Sequence, residues 1–158
     1  MKQLQLSRTA TYAVRATIQL AKSENSRPIP CSKLAADGKM PERFLLQILR
    51  NLVTHGILRS TRGVEGGYSL TRPPREISLL DVIEAIEGPM DAEVPFEETV
   101  PEGSYAKLQD ALHDVASTAR RQLEAVKFSQ LIVPEPTTSP EPATLAEPTP
   151  DSNSAASS

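Results

Sequence analysis

Apolar residues recur at helical spacing from about Ser7 to Lys22, where alanines, Val14, Ile18 and Leu20 mark one side. Ser7 is placed to cap the first turn. The stretch Glu24–Pro30 holds two prolines and ends this helix. A short helix is predicted from Pro30 or Cys31 to Asp37, with Pro30 near its first turn, and Gly38 then marks a tight turn. The next periodic segment runs from about Pro41 to His55, with Gly56 as its stop. Its apolar side is Phe44, Leu45, Ile48, Leu49 and Leu52. The opposite side reads Arg43, Gln47, Arg50 and Thr54, a spacing that puts four polar side chains on one face.

The period then changes. Ile57–Thr61 and Tyr68–Thr71 read as two short strands, with Arg62, Gly63, Gly66 and Gly67 in a glycine-rich tip between or beside them. Ser78 opens a further helix to about Glu87, with Asp81 three residues on as in a capping box, and Gly88-Pro89 stops it. Asp91–Gly103 is an acidic loop with two prolines. A long helix is predicted from about Ser104 to Val126, roughly 33 Å at 1.5 Å per residue. Along it Tyr105, Leu108, Leu112, Val115 and Ala119 recur at alternating spacings of three and four. Leu123 and Val126 continue the stripe after a small phase slip at Gln122. This is a heptad-like seam, which two copies can bury against each other.

The order of helix, short helix, turn, helix and two-stranded hairpin is that of a winged helix-turn-helix, so the fold class is mainly α. Charge sharpens the picture. Residues 1–79 hold 13 Lys/Arg and 5 Asp/Glu, 13 − 5 = +8, whereas residues 80–158 hold 4 and 15, 4 − 15 = −11; together these make the overall −3. A basic half beside an acidic half points to a polyanion as partner of the former. Arginine pairs bidentately with guanine, and glutamine with adenine, in the major groove. Arg62 among glycines suits entry into a narrow minor groove.

Other classes lack support. One cysteine excludes a disulfide framework and a four-cysteine zinc site, and points to a reducing compartment, read as the cytoplasm. No apolar run approaches the roughly 18–20 residues of a membrane helix, and Met1–Ser7 carries no apolar signal segment. His55 and His113 lie far apart, so no metal site is expected. There is no nucleophile elbow, no phosphate-binding glycine loop and no His/acid pair at useful spacing, so the chain does not read as an enzyme. Tyr12 and Tyr68 read as core residues rather than stacking platforms. The segment from Pro134 to Ser158 holds six of the fourteen prolines and no Lys, Arg or aromatic residue, and is read as disordered.

Four segments resemble the IscR/NsrR/CymR family of bacterial transcription regulators. They are Leu6-Ser-Arg-Thr-Ala-Thr-Tyr-Ala-Val-Arg-Ala16, Phe44-Leu-Leu-Gln-Ile-Leu49, Arg62-Gly-Val-Glu-Gly-Gly-Tyr68, and Ile77-Ser-Leu-Leu-Asp-Val-Ile-Glu-Ala-Ile-Glu-Gly-Pro89. The likeness covers about residues 4–132. It implies a homodimeric winged-helix regulator, read as a repressor, whose Pro41–His55 helix enters the major groove and whose wing enters the minor groove. By position it places Arg43, Phe44 and Gln47 at base- or backbone-contacting sites and Arg62 at the wing arginine. The DNA-binding set expected is Lys39, Arg43, Phe44, Gln47, Arg50, Arg59, Arg62, Gly63, Gly66 and Gly67. The dimer interface expected is Tyr105, Leu108, Leu112, Val115, Ala119, Leu123 and Val126.

Two departures from the family pattern matter. Members that sense iron, oxygen or nitric oxide hold an iron–sulfur cluster on three cysteines after the Gly-Pro turn, and Met90–Gly103 has none. Asp91, Glu93, Glu97 and Glu98 are hard oxygen ligands and poor substitutes, so no cofactor is expected. In the wing, Glu65 stands where relatives often have glycine, and a carboxylate facing phosphates weakens binding unless it points to solvent.

The predicted organisation is a winged helix-turn-helix DNA-binding domain over residues 1–88, an acidic loop over 89–103, a dimerisation helix over 104–133 and the tail over 134–158. The partners expected are double-stranded DNA, as a near-palindromic operator, and a second copy of the chain, with no membrane. The effector is not legible. Two rival readings exist: a winged-helix protein–protein interaction module, and a thiol redox sensor working through Cys31, whose place in a first helical turn favours a thiolate. The alternative for Cys31 is a small residue packed under a turn, and a single cysteine lacks a resolving partner.

Overall fold

Ser7 begins a helix as its sequence predicts. Its Oγ accepts the Ala10 N–H at 3.0 Å, and α1 spans Arg8–Ala21. The computed structural model describes residues 5–23, 26–91 and 101–133. Helix α1 buries Ala10, Ala13, Ala16, Thr17 and Leu20. Small side chains on this face let neighbouring helices approach closely. Thr17 is fully buried, and its hydroxyl is satisfied by donating to the Ala13 carbonyl at 2.8 Å.

Helix α2 spans Cys31–Gly38 and α3 spans Glu42–Thr54. The turn between them differs from expectation. Gly38 is still helical, and Lys39 takes the left-handed conformation, with φ 50° and ψ 50°. Gly38 is buried instead by packing, because a Cβ there would collide with the side chains of Met40 and Gln19. Leu45, Ile48, Leu49 and Leu52 of α3 are buried as predicted, whereas Phe44 is 39% exposed.

The wing pairs β1 (Leu58–Thr61) with β2 (Gly67–Leu70), antiparallel, in the register Leu58↔Leu70, Arg59↔Ser69, Ser60↔Tyr68 and Thr61↔Gly67. Ile29 adds an unpredicted isolated bridge on the outer side of β2. Its N–H donates to the Tyr68 carbonyl, and the Tyr68 N–H donates back, both at 2.9 Å. Gly67 has φ 152°, and any Cβ there would run into the Ile29 backbone. That glycine therefore serves the close approach of the Ile29 backbone. Tyr12 and Tyr68 are half-buried against the core, in line with their expected role.

Helix α4 spans Leu79–Glu87 behind the predicted capping box. The Ser78 Oγ accepts from the Asp81 N–H at 3.0 Å, and the Asp81 carboxylate accepts from the Ser78 N–H at 2.9 Å. A 3-10 turn at Pro74–Glu76 precedes it. Helix α5 spans Glu102–Ala125, two residues earlier at its start than Ser104.

The stretch expected as one helix over 104–133 is interrupted. Val126 leaves α5 in an extended conformation, and a separate α6 follows at Phe128–Leu131. The cause is backbone pairing with the segment before α4. The Leu79 N–H donates to Val126 O at 2.8 Å, and the Phe128 N–H donates to Ile77 O at 3.0 Å. Phe128 is thereby driven into the core and is fully buried among residues that include Leu34, Leu45, Leu49, Leu52, Ile77 and Val82. Residues 92–100 of the acidic loop and the 134–158 tail lie outside the described residues. Among the described residues no helix is long and apolar enough to cross a membrane.

Candidate nucleic-acid interface

The amphipathic pattern of α3 divides the helix into two jobs. Leu45, Ile48, Leu49 and Leu52 anchor it in the core, and the anchored helix holds Arg43, Gln47, Arg50 and Thr54 exposed on the other side. Phe44 lies beside this polar face. Its ring meets Tyr12 of α1 edge-on, with centroids 5.7 Å apart and planes at 75°. That contact fixes a half-exposed aromatic at the edge of the face. Lys39, in the turn before α3, is also exposed, and its left-handed backbone is closed by an N–H donated to Ala36 O at 3.2 Å. None of Lys39, Arg43, Gln47, Arg50 and Arg62 makes a side-chain hydrogen bond or ion pair with a described residue. Burial of the opposite side thus leaves these cations and this amide facing water with their hydrogen-bonding capacity open.

The wing carries Arg62 at its exposed tip, next to Gly63, which has open space around it and φ 114°. Gly66 and Gly67 have structural work of their own. The Gly66 N–H donates to Gly63 O at 3.0 Å and closes the tip, and Gly67 packs on Ile29. Glu65 is exposed at the same tip. Arg59 differs from the other predicted contacts. It projects from β1 across the sheet and donates from Nε to Ser69 Oγ at 3.0 Å.

The predicted helical stripe on α5 is split by the structure. Leu108, Leu112 and Val115 are 42%, 36% and 66% exposed, an apolar strip left partly open to solvent. Tyr105, Ala119 and Leu123 are half-buried, and Val126 stands beyond the helix end. On the inner side of α5, Arg120 pairs with Glu84 of α4, and the same carboxylate accepts the Met90 N–H at 2.9 Å. This ties α5 to α4 and to the Gly88-Pro89 turn.

Cys31 sits half-buried in the first turn of α2, with Sγ donating a long contact of 3.8 Å to the Glu42 carbonyl. Burial pushes its thiol pKa up, and the nearby Glu42 carboxylate pushes it the same way. The thiol is therefore held protonated, the reverse of the activation that a first-turn position suggests. Arg27 and Arg72 were not singled out by the sequence. Both line a recess with Arg59, and no local periodicity signals that convergence.

Residues 6–134 match the Rrf2 family, described as "Iron-dependent Transcriptional regulator". An HTH-type transcriptional regulator of Mycobacterium tuberculosis is 46% identical over 87 residues, which are 55% of this chain and 54% of that protein. The chain thus spans about half the length of that relative. An rrf2-like HTH-type regulator of Rhodobacter capsulatus is 30% identical over 125 residues, covering 77% of this chain and 81% of that protein. Among solved structures, CymR, the global cysteine regulator of Bacillus subtilis, superposes with a TM-score of 0.68 at 26% identity, covering 82% of this chain and 96% of that one.

An iron–sulfur cluster needs several soft thiolates. The chain has one cysteine, and Cys31 lies in α2 with a raised pKa. Among the described residues no group of three His, Cys, Asp or Glu side chains is arranged to hold a metal. The residues do not fit a cluster.

Proposed function

This chain belongs to the Rrf2 family of transcriptional regulators, and on that premise we propose that it binds double-stranded DNA as a homodimer, through α3 and the wing, without an iron–sulfur cluster. The observation that carries the reading is the open polar face of α3, with Arg43, Gln47 and Arg50 exposed and without described partners. Arginine and glutamine are the residues that read guanine and adenine edges bidentately in the major groove. Lys39 and Arg62 flank this face in sequence and supply charge for phosphates, with Arg62 directed to the minor groove. The partner site is a near-palindromic operator, because two-fold symmetry of the protein imposes matching half-sites. Binding that excludes polymerase makes the protein a repressor, acting in the cytoplasm where its DNA is. No catalytic step is part of this reading. A protein–protein interaction module has no need of the +8 balance over residues 1–79.

Arg43→Ala and Gln47→Ala are each expected to cost about 1–3 kcal/mol on the specific site and to relax base preference. Arg62→Ala weakens binding through the wing. With three or four cations per subunit each meeting a phosphate, a dimer makes about six to eight such contacts, and log affinity falls with log salt at a slope of roughly −5 to −7. Fluorescence anisotropy across a salt series checks all of this. A slope near zero with the three variants unchanged contradicts DNA binding.

A further inference from the structure

A recess of about 380 Å³ lies at the base of the wing, where the α1–α2 connection, the two strands and the segment before α4 meet. Arg27, Arg59 and Arg72 line it, each from a different one of these segments, and its described lining holds no carboxylate. Gathering three arginines along one concavity costs electrostatic energy unless counter-charge lies near it. Among the described residues their local compensation is small. Arg72 reaches Asp81 only at 3.8 Å, outside the recess. Arg59 spends its Nε on Ser69, which is 2% exposed and so rigidly placed. That bond fixes the guanidinium plane and leaves both Nη groups to form a two-pronged donor, the geometry that suits an oxyanion. The remaining walls include Ala21, Leu70 and Pro74, which offer apolar surface. A site with convergent polar groups on partly apolar walls is the usual form of a small-molecule pocket.

We propose that this recess binds a small molecule carrying a dianionic phosphate-type group, held by Arg27, Arg59 and Arg72, with its apolar body against Leu70 and Pro74. An occupant bridges the end of α1 to the base of the wing, so it bears on wing placement. A phosphate oxyanion has two sources, the dianionic monoester of a free molecule or the singly charged diester of bound DNA, and the test separates them.

Phenyl phosphate is the probe, with phenol as its uncharged counterpart, titrated calorimetrically into the full chain without DNA. The expected result is saturable binding of phenyl phosphate and none of phenol. Arg27→Ala and Arg59→Ala should each weaken binding at least about tenfold, the scale of a lost charge-assisted pair. All three lining arginines are exposed, so these substitutions leave the core intact. Arg121→Ala, on α5 with its Nη2 near Thr118, should leave the affinity unchanged. Repeating the titration with saturating duplex DNA identifies the source. Continued binding assigns the recess to a free molecule. Displacement, with weaker DNA affinity of Arg27→Ala, assigns it to a DNA phosphate and overturns the small-molecule proposal. The DNA-free titration stands whatever the outcome of the DNA-binding experiments. No saturable binding, or equal affinity in the Arg27→Ala and Arg59→Ala variants, overturns the proposal.

Discussion

Replacing Leu112 and Val115 together with aspartate should yield monomers in sedimentation and abolish tight operator binding, although every DNA-reading residue remains. Both side chains are exposed, 36% and 66%, so the charge enters no core of the isolated chain. Helicity by circular dichroism should be unchanged. In a dimer the outcome differs, because each aspartate is buried against its symmetry mate, where an unpaired charge costs several kcal/mol. Burying the exposed parts of Leu108, Leu112 and Val115 from both chains contributes roughly 4–9 kcal/mol before association costs, at about 1.5–3 kcal/mol per fully transferred side chain. Tyr105 and Leu123, each half-buried, continue the strip in sequence at its ends. A double variant that stays dimeric, or that binds operator normally as a monomer, would remove α5 as the interface.

The second large effect is expected at Phe128. This ring is fully buried, and it is the point at which the chain beyond α5 rejoins the winged domain. Phe128→Ala should cost about 3–5 kcal/mol, from lost burial and the cavity left behind. That is a large share of the roughly 5–15 kcal/mol that stabilises an ordinary domain. Urea unfolding followed by circular dichroism measures it. Phe128→Leu keeps most of the volume and should cost much less. If Phe128→Ala costs under about 1 kcal/mol, residues after Ala125 do not anchor α5 to the domain.

The parts of this fold that were legible in the sequence are those decided locally. Ser7 and the Ser78/Asp81 pair announce helix starts because capping is a contact over three residues. The alternation of leucines with Arg43, Gln47 and Arg50 announces α3 and its outward face for the same reason. What escaped depends on residues far apart in the chain. Val126 continues a helical stripe in sequence, yet it pairs with Leu79 and ends the helix. Phe128 offers no periodic signal, being a lone aromatic after that break. Gly38 looks like the turn residue, but packing of Met40 and Gln19 claims the small side chain and Lys39 makes the turn. Ile29 joins the wing because the connection after α1 folds back across β2, and the same fold-back brings Arg27 towards Arg59 and Arg72.

Footprinting on genomic fragments tests most directly whether the exposed face of α3 recognises specific DNA sequences. The wild-type protein should protect discrete sites, each made of two inverted half-sites with centres about one helical turn apart, roughly 34–36 Å, or a multiple of it. The Arg43→Ala, Gln47→Ala double variant should lose those footprints while retaining its dimer mass. Absence of any protected fragment, or footprints identical in the double variant, would contradict recognition by α3.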